Sequence, residues 1–362
     1  MMILHTESSP NFGGQELRTI HEIEGLKKFG IESILLCKKN SAIEQIAQKK
    51  GLKHFTTTFF SSIDPIAALQ IIMLVKKFDV NLINSHSGYD AWCAIPACLI
   101  NKIPFIRSRH IGLKLKDKRT TRFIYGSFAR KIIATSGYIA TQIKNIGINP
   151  DKIEIVPTGI DSEKYINPPS FDLRKKYNIP EKNIILCFAS VLKSDKGPHI
   201  LLKSLPDVLT KMPDISVIIA GNGNFMGECR KITEELSLSD HVIFTGHVDN
   251  IPGLLKEIDI FILPAIRPEG IPQSLLQAYA SKRPVITTDI GGINEAAMHN
   301  NTAYLVEPRN VEALSQGILY LLKNKDYSKN IAENAFKLFI EKYTLSSMLY
   351  KMNEIYREVI NG

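Results

Sequence analysis

The sequence predicts an α/β chain of two doubly wound domains, each a parallel sheet covered by helices on both faces. Three observations carry this. The 362 residues exceed one ordinary core and suit two domains of about 150 to 200 residues each. Short runs dense in Ile, Val and Leu recur along the whole chain, each followed by a helix-like stretch. Those runs are apolar throughout rather than alternating, as strands buried on both faces must be.

In order, strands are expected over 2–5, 32–37, 80–84, 104–107, 131–134 and 153–156, then over 184–188, 215–220, 242–244, 258–263, 284–287 and 303–306. Between the two sets, 161–180 is polar and carries Pro168, Pro169 and Pro180, which reads as a linker. At the end, Leu345, Met348, Leu349, Met352, Ile355, Tyr356 and Val359 recur at helical spacing and predict one buried face. Periodicity does not say against what.

Composition narrows the function. No run of about 18 uncharged apolar residues occurs, and residues 1–10 read as a first strand rather than a leader, so a cytoplasmic protein is expected. The five cysteines form no CxxC pair and sit in apolar stretches, which predicts buried free thiols. Residues 1–160 hold 22 Lys and Arg against 12 Asp and Glu, a balance of +10, whereas 161–362 hold 23 against 24. Within the basic half, 113–131 carries seven Lys and Arg and one acid, interleaved with Phe123, Ile124, Tyr125 and Phe128.

In open parallel sheets ligands bind beyond the carboxyl ends of the strands, so the chemistry is sought in the loops that follow them, and two such domains facing each other would make a cleft. After the first strand, Gly13-Gly14-Gln15-Glu16 opens a helix; adjacent glycines allow backbone N–H groups to approach an anion, or simply make a tight turn. His86 follows the third expected strand, close to Asp90, where it either serves a ligand or belongs to a local cap. Arg109-His110 repeats that position and suits an acceptor anion or a surface ion pair. In the second half, Ser190, Lys193, Lys196 and Gly197 lie between a strand and a helix, and the two lysines, one helical turn apart, suit a diphosphate better than a solvated face. Gly221-Asn222-Gly223 reads as a turn, because no G-x-G-x-x-G is completed. Glu269-Gly270-Ile271-Pro272 precedes a helix containing Gln277, placing an acid and an amide eight positions apart at a helix mouth. No Asp-x-Asp clamp and no grouped metal ligands occur, so no metal is expected.

Taken together, Gly13-Gly14-Gln15-Glu16, His86, Val156-Pro157-Thr158-Gly159-Ile160-Asp161, Lys196-Gly197, Thr245-Gly246, Glu269-Gly270 and Gly291-Gly292-Ile293-Asn294-Glu295 resemble the retaining glycosyltransferases of family 4, which have the GT-B fold of two Rossmann-like domains. The resemblance implies that Gly14 approaches donor phosphates, His86 lines the reacting sugar, Lys196 pairs with the diphosphate, Glu269 holds sugar hydroxyls, and the backbone of Gly270, Ile271 and Pro272 completes the anion site. Glu16, Arg109 and His110 fall on the acceptor side. It also implies an acceptor-side domain over 1–165, a donor domain over 166–344, and a helix over 345–362 that crosses back onto the first. Two positions depart from the family pattern: Val191 stands where an Arg is common, with Lys193 as a substitute charge, and Gln277 replaces the second Glu of the pattern, where it accepts ribose hydroxyls without charge.

The expected activity is transfer of a sugar from a nucleotide-diphosphate-sugar co-substrate, with retention and without other cofactor, to a glycan or lipid-linked acceptor such as lipopolysaccharide core. The basic segment 113–131 is expected to meet an anionic membrane surface or the phosphates of a lipid-linked acceptor rather than to be a solvated basic face. Two rivals stand beside this: a nucleotide-sugar epimerase of similar build, and a basic nucleic-acid-binding module. The latter leaves the Lys-Gly and Glu-Gly segments unexplained, so nucleic acid is not an expected partner.

Overall fold

The computed structural model describes residues 1–11 and 13–362; Phe12, which precedes the glycine pair, lies outside them. The chain divides into two compact units, 1–159 with 345–362, and 160–344. In the first, seven strands form one parallel sheet in the order β3-β2-β1-β4-β5-β6-β7. These are β1 (Met2–Glu7), β2 (Glu32–Lys38), β3 (His54–Thr57), β4 (Leu82–Ser85), β5 (Phe105–Arg109), β6 (Lys131–Ala134) and β7 (Ile153–Ile155). In the second, six strands run β10-β9-β8-β11-β12-β13, with β8 (Ile184–Ala189), β9 (Ile215–Ala220), β10 (Val242–Gly246), β11 (Ile260–Leu263), β12 (Val285–Thr288) and β13 (Tyr304–Val306). Helices cover both faces of each sheet. The chain direction across the sheet reverses between β1 and β4 and between β8 and β11, the two positions where doubly wound sheets open a crevice.

Every expected strand is present, and one was not foreseen. His54–Thr57 pairs with β2 at the sheet edge, Leu36 opposite Phe55. Only Thr57 of its four residues is fully buried, so it lacks the apolar density that marks the other strands.

The linker reading of 161–180 is corrected. Helical turns span Glu163–Ile166 and Leu173–Tyr177, Leu173 and Ile179 are buried in the second core, and Tyr165 and Phe171 pack against it. The boundary therefore falls at Gly159, six residues before the expected one at 165. Ile160 already belongs to the second unit, its N–H donating to the Tyr343 carbonyl at 2.9 Å.

The C-terminal helix, Leu345–Asn361, packs on the first unit. Met348, Leu349, Met352, Ile355, Tyr356 and Val359 are the face it buries, against Ile3, Leu82, Ile106 and Ile133 of the sheet. Gly25, in the helix Gly14–Leu26, lets it approach: a Cβ there would stand 2.2 Å from Leu349 Cδ1. The contact also encloses polar groups. Tyr356 Oη donates to Glu22 Oε1 at 2.5 Å and accepts from Asn84 Nδ2 at 2.6 Å, while Arg18 donates to the Val156 carbonyl at 2.7 Å. All five cysteines are free and buried. No helix among the described residues is long and apolar enough to cross a membrane.

Candidate functional site

Each unit places its candidate residues at its own crevice. In the second, Lys196 ends a tight turn after β8, and Glu269 lies in the loop after β11; their side chains form an ion pair, each about a fifth exposed. The sequence had put them 73 positions apart. Tight backbone packing holds the two loops together. Gly197 has φ +73, and a Cβ on it would stand 1.9 Å from the Pro264 carbonyl oxygen. Asp195 accepts the Ile266 N–H at 2.8 Å through its carbonyl, and its carboxylate lies 3.4 Å from Arg267 Nε. From the other side, Gly292 N–H donates to the Glu269 carbonyl at 2.7 Å. A Cβ on Gly291, which has φ +60, would stand 2.8 Å from both the N and the O of Glu269. The Gly291-Gly292 pair is thus a cradle for the Glu269 loop.

Glu269 leads into the helix Gln273–Ala280. Gly270 and Ile271 can offer N–H groups at its positive end. Pro272 cannot, since it has no N–H, and its carbonyl receives Leu276 N–H at 3.3 Å; the reading of Pro272 as an anion donor is corrected on that ground. Gln277, half-buried, hydrogen-bonds the Tyr165 phenol. Lys193 is exposed, and Arg267, which the sequence reading did not single out, pairs with Asp195 beside Lys196. The glycines at 221 and 223 have a structural cause: a Cβ on either would lie 2.0 Å from a carbonyl oxygen, that of Ser190 or of Leu192. They let the loop after β9 lie flat on the loop carrying Ser190 and Lys193.

In the first unit the parallel register of β1, β4 and β5 assembles three histidines. His5 Nδ1 meets His86 Nε2 at 3.0 Å, and His86 Nδ1 meets His110 Nε2 at 3.0 Å, with the rings stacked at 5.3 and 5.2 Å between centroids. Burial holds all three neutral, lowering His5 to about 3 and His86 and His110 well below the usual imidazole range. A neutral imidazole donates once and accepts once, so the three share one tautomer. Both nitrogens of His86 are occupied, and the chain ends on two buried nitrogens without a hydrogen-bond partner, His5 Nε2 and His110 Nδ1; of the three rings only that of His110 is half-buried rather than buried. His5 escaped the sequence reading because it lies inside a strand rather than after one.

Asp90 fixes the loop that follows β4. It accepts from His86 N at 3.0 Å, Ser87 N at 3.2 Å, Thr6 Oγ1 at 3.0 Å and Ser8 Oγ at 3.0 Å. Arg109 forms no ion pair among the described residues; it donates to the Leu113 carbonyl at 2.6 Å and hydrogen-bonds Tyr125. Glu16 is buried. Gly14 begins its helix, and Gly13 before it is in ordinary extended conformation, with only a normal contact to Glu16 awaiting a Cβ at 3.5 Å. Nothing among the described residues of the unit therefore demands glycine at 13.

Glu7, at the end of β1, was not foreseen either. Its carboxyl accepts from Ser9 N at 2.9 Å, from Gln15 Nε2 at 2.6 Å and from Ser87 Oγ, tying the glycine loop to the His86 loop. Those donors favour the carboxylate, but burial and the neighbouring charges of Asp90 and Glu16 prevail and push it from the ordinary 4.5 up to about 8. The folded state thus keeps a proton that the unfolded chain releases. Stability of the first unit should fall as pH climbs from about 4.5 to about 8 and level off above. In Glu7→Gln, thermal midpoints measured across that range should decline less; an identical slope in both proteins refutes the assignment.

No group of three or more His, Cys, Asp or Glu arranged to hold a metal occurs among the described residues.

Residues 12–164 match the family described as Glycosyltransferase Family 4, and residues 170–338 match Glycosyl transferases group 1. A GDP-mannose-dependent alpha-(1-6)-phosphatidylinositol monomannoside mannosyltransferase of Mycobacterium tuberculosis is 29% identical over 280 residues, 75% of this chain and 67% of the relative. A UDP-Gal:alpha-D-GlcNAc-diphosphoundecaprenol alpha-1,3-galactosyltransferase of Escherichia coli is 21% identical over 99% of this chain and 97% of its own. Among solved structures, a glycosyltransferase from Rickettsia africae superposes with a TM-score of 0.89 at 25% identity, covering 99% of this chain and 98% of its own.

Proposed function

Since the chain belongs to the family 4 glycosyltransferases and has their GT-B fold, we propose that it moves a sugar from a nucleotide-diphosphate-sugar donor to a glycan or lipid-linked acceptor, with retention, in surface polysaccharide assembly. The observation that carries this is the Lys196 and Glu269 pair at the β8/β11 crevice, beside a helix N-terminus. Departure of a nucleoside diphosphate develops negative charge on its terminal phosphate. Lys196 and the N–H groups of Gly270 and Ile271 supply fixed positive charge where it develops, without reorganisation during the reaction. Glu269 orients Lys196 in the free enzyme and accepts sugar hydroxyls once the donor is bound. Gln277, paired with Tyr165, accepts from the ribose. No cofactor beyond the co-substrate is needed for this chemistry.

In the first unit, His110, the half-buried member of the histidine chain, is the one that meets substrate, and His86 sets its orientation and tautomer. Glycine at 13, without a steric cause among the described residues, suits close approach of an anion to the start of the helix Gly14–Leu26. Attack by the acceptor hydroxyl on the face from which the diphosphate leaves accounts for retention. Two relatives name lipid-linked acceptors, phosphatidylinositol monomannoside and diphosphoundecaprenol-linked GlcNAc, which supports an acceptor of that kind and enzyme action at the inner face of the cell membrane. They also name different bases, GDP and UDP.

A panel of GDP- and UDP-sugars, each incubated with and without lipid-linked acceptor, tests the reading, with the anomeric configuration of the product followed by NMR. One donor should be consumed in an acceptor-dependent way and give the donor's own anomer. Inversion sinks the mechanism, and conversion of donor without acceptor assigns epimerisation instead.

A further inference from the structure

Among the described residues, nineteen large apolar side chains stand exposed, and eleven of them lie between Phe60 and Phe123, all in the first unit. The concentration centres on the helix Pro65–Phe78. One face of it buries Ala67, Ile71, Leu74 and Val75 in the core. Its other face presents Ile66, Leu69 and Met73 at i, i+3 and i+7, exposed by 58, 60 and 61%. A helix that is apolar all round belongs inside a protein or against lipid, and this one has only one side covered. The preceding loop continues the surface with Phe60 and Ile63, exposed by 60 and 85%. Single exposed apolar residues need no explanation, but a contiguous group does.

Positive charge stands at one end of this face. Lys76 and Lys77 end the helix, and Lys102 ends the neighbouring helix Gly88–Asn101; all three are exposed. The neighbouring helix joins the apolar face to the basic segment. Cys93 Sγ meets the Ser61 carbonyl at 3.8 Å, and Trp92 stacks on Phe123 with centroids 6.0 Å apart. Phe123 itself is exposed and follows Lys114, Lys116, Lys118, Arg119 and Arg122. The only acid in that segment, Asp117, is taken by Arg122 at 2.7 Å. An apolar stripe with exposed lysines at one end and a net-basic segment nearby is complementary to a bilayer with anionic headgroups, because acyl chains cover the stripe while phosphates meet the lysines and arginines.

We propose that the helix Pro65–Phe78 and the loop before it insert into the interfacial layer of an anionic phospholipid bilayer, with the basic segment lying on the headgroups beside them. The apolar face, rather than the basic segment alone, then holds the protein to the surface. Charge draws the chain in and is screened by salt; burial of Ile66, Leu69 and Met73 is not. The proposal deepens the lipid-linked acceptor reading and rests on it for its purpose, since a surface-bound first unit meets such an acceptor where it resides.

Co-sedimentation with sucrose-loaded vesicles of phosphatidylglycerol and phosphatidylcholine tests it, at low and high salt, for the native chain, the triple variant Ile66→Ser, Leu69→Ser, Met73→Ser, and the triple variant Lys116→Gln, Lys118→Gln, Arg119→Gln. All six positions are on the surface, and circular dichroism checks that the variants fold. The native chain should bind and keep a measurable fraction at high salt. The serine variant should lose about tenfold or more in partition at both salt concentrations, whereas the glutamine variant should lose chiefly the salt-sensitive part. Equal partition of native and serine proteins overturns the proposal, as does failure of the native chain to bind anionic vesicles. Light scattering without vesicles supplies the alternative occupant: a native dimer that the serine variant converts to monomer assigns the face to a second copy. Vesicle binding retained by a protein that transfers from no donor refutes the sugar-transfer reading and leaves the surface standing.

Discussion

Alanine in place of Glu269 is expected to lower kcat by about 10² to 10³ while the second unit stays folded. The side chain is partly exposed and its partner Lys196 regains water when released, so its loss costs little stability. On the proposed reading, what is lost is the group that orients Lys196 and receives the sugar hydroxyls. Lys196→Ala should fall to a similar rate, and the double variant should be little worse than either single one, because residues that act as a unit are not additive. Single-turnover transfer measured at saturating donor makes the comparison. Activity near the native level in Glu269→Ala removes the pair from the mechanism.

The second large effect is on stability. Gly197→Ala should destabilise the second unit by about 3 kcal/mol, from a left-handed backbone that disfavours a Cβ and from collision of that Cβ with a carbonyl that cannot retreat. The carbonyl is that of Pro264, 1.9 Å from the Cβ position, in the strand-end loop leading to Glu269. Relief of the collision must therefore separate the loops that bring Lys196 and Glu269 together, and activity should fall with stability. Urea unfolding of the native and variant chains gives the difference directly. An unchanged midpoint contradicts the geometry at Gly197.

How much of this was legible beforehand follows from the range of the interactions concerned. Strands buried on both faces need dense Ile, Val and Leu, so twelve of them could be read locally; His54–Thr57, at an edge and mostly half-buried, needs no such density and was missed. The stretch 161–180 misled for the converse reason. Its prolines and polar residues look like a linker, while five apolar residues spaced along it, Tyr165, Phe171, Leu173, Tyr177 and Ile179, anchor it to the second core. Lys196 and Glu269 were legible as separate candidates because each follows a strand and meets a glycine. The histidine chain was not, since only the register of His5 with Asn84 in the neighbouring strand sets His5 beside His86.

The sequence by itself determined two doubly wound parallel sheets, the loops where chemistry resides, the apolar stripe of the last helix and the basic character of the first unit. All of these follow from periodicity, composition and the position of glycines after strands, which act over a few residues. Only the tertiary structure decided that Tyr356 closes over Glu22 and Asn84, that Gly291 and Gly292 cradle the Glu269 loop, that His86 has no nitrogen to spare, and that one face of the helix Pro65–Phe78 is left uncovered. Each of these joins groups distant in sequence or depends on what fails to pack against a surface. Neither relation leaves a local pattern in the chain, because it arises only when whole sheets and helices have been brought into contact.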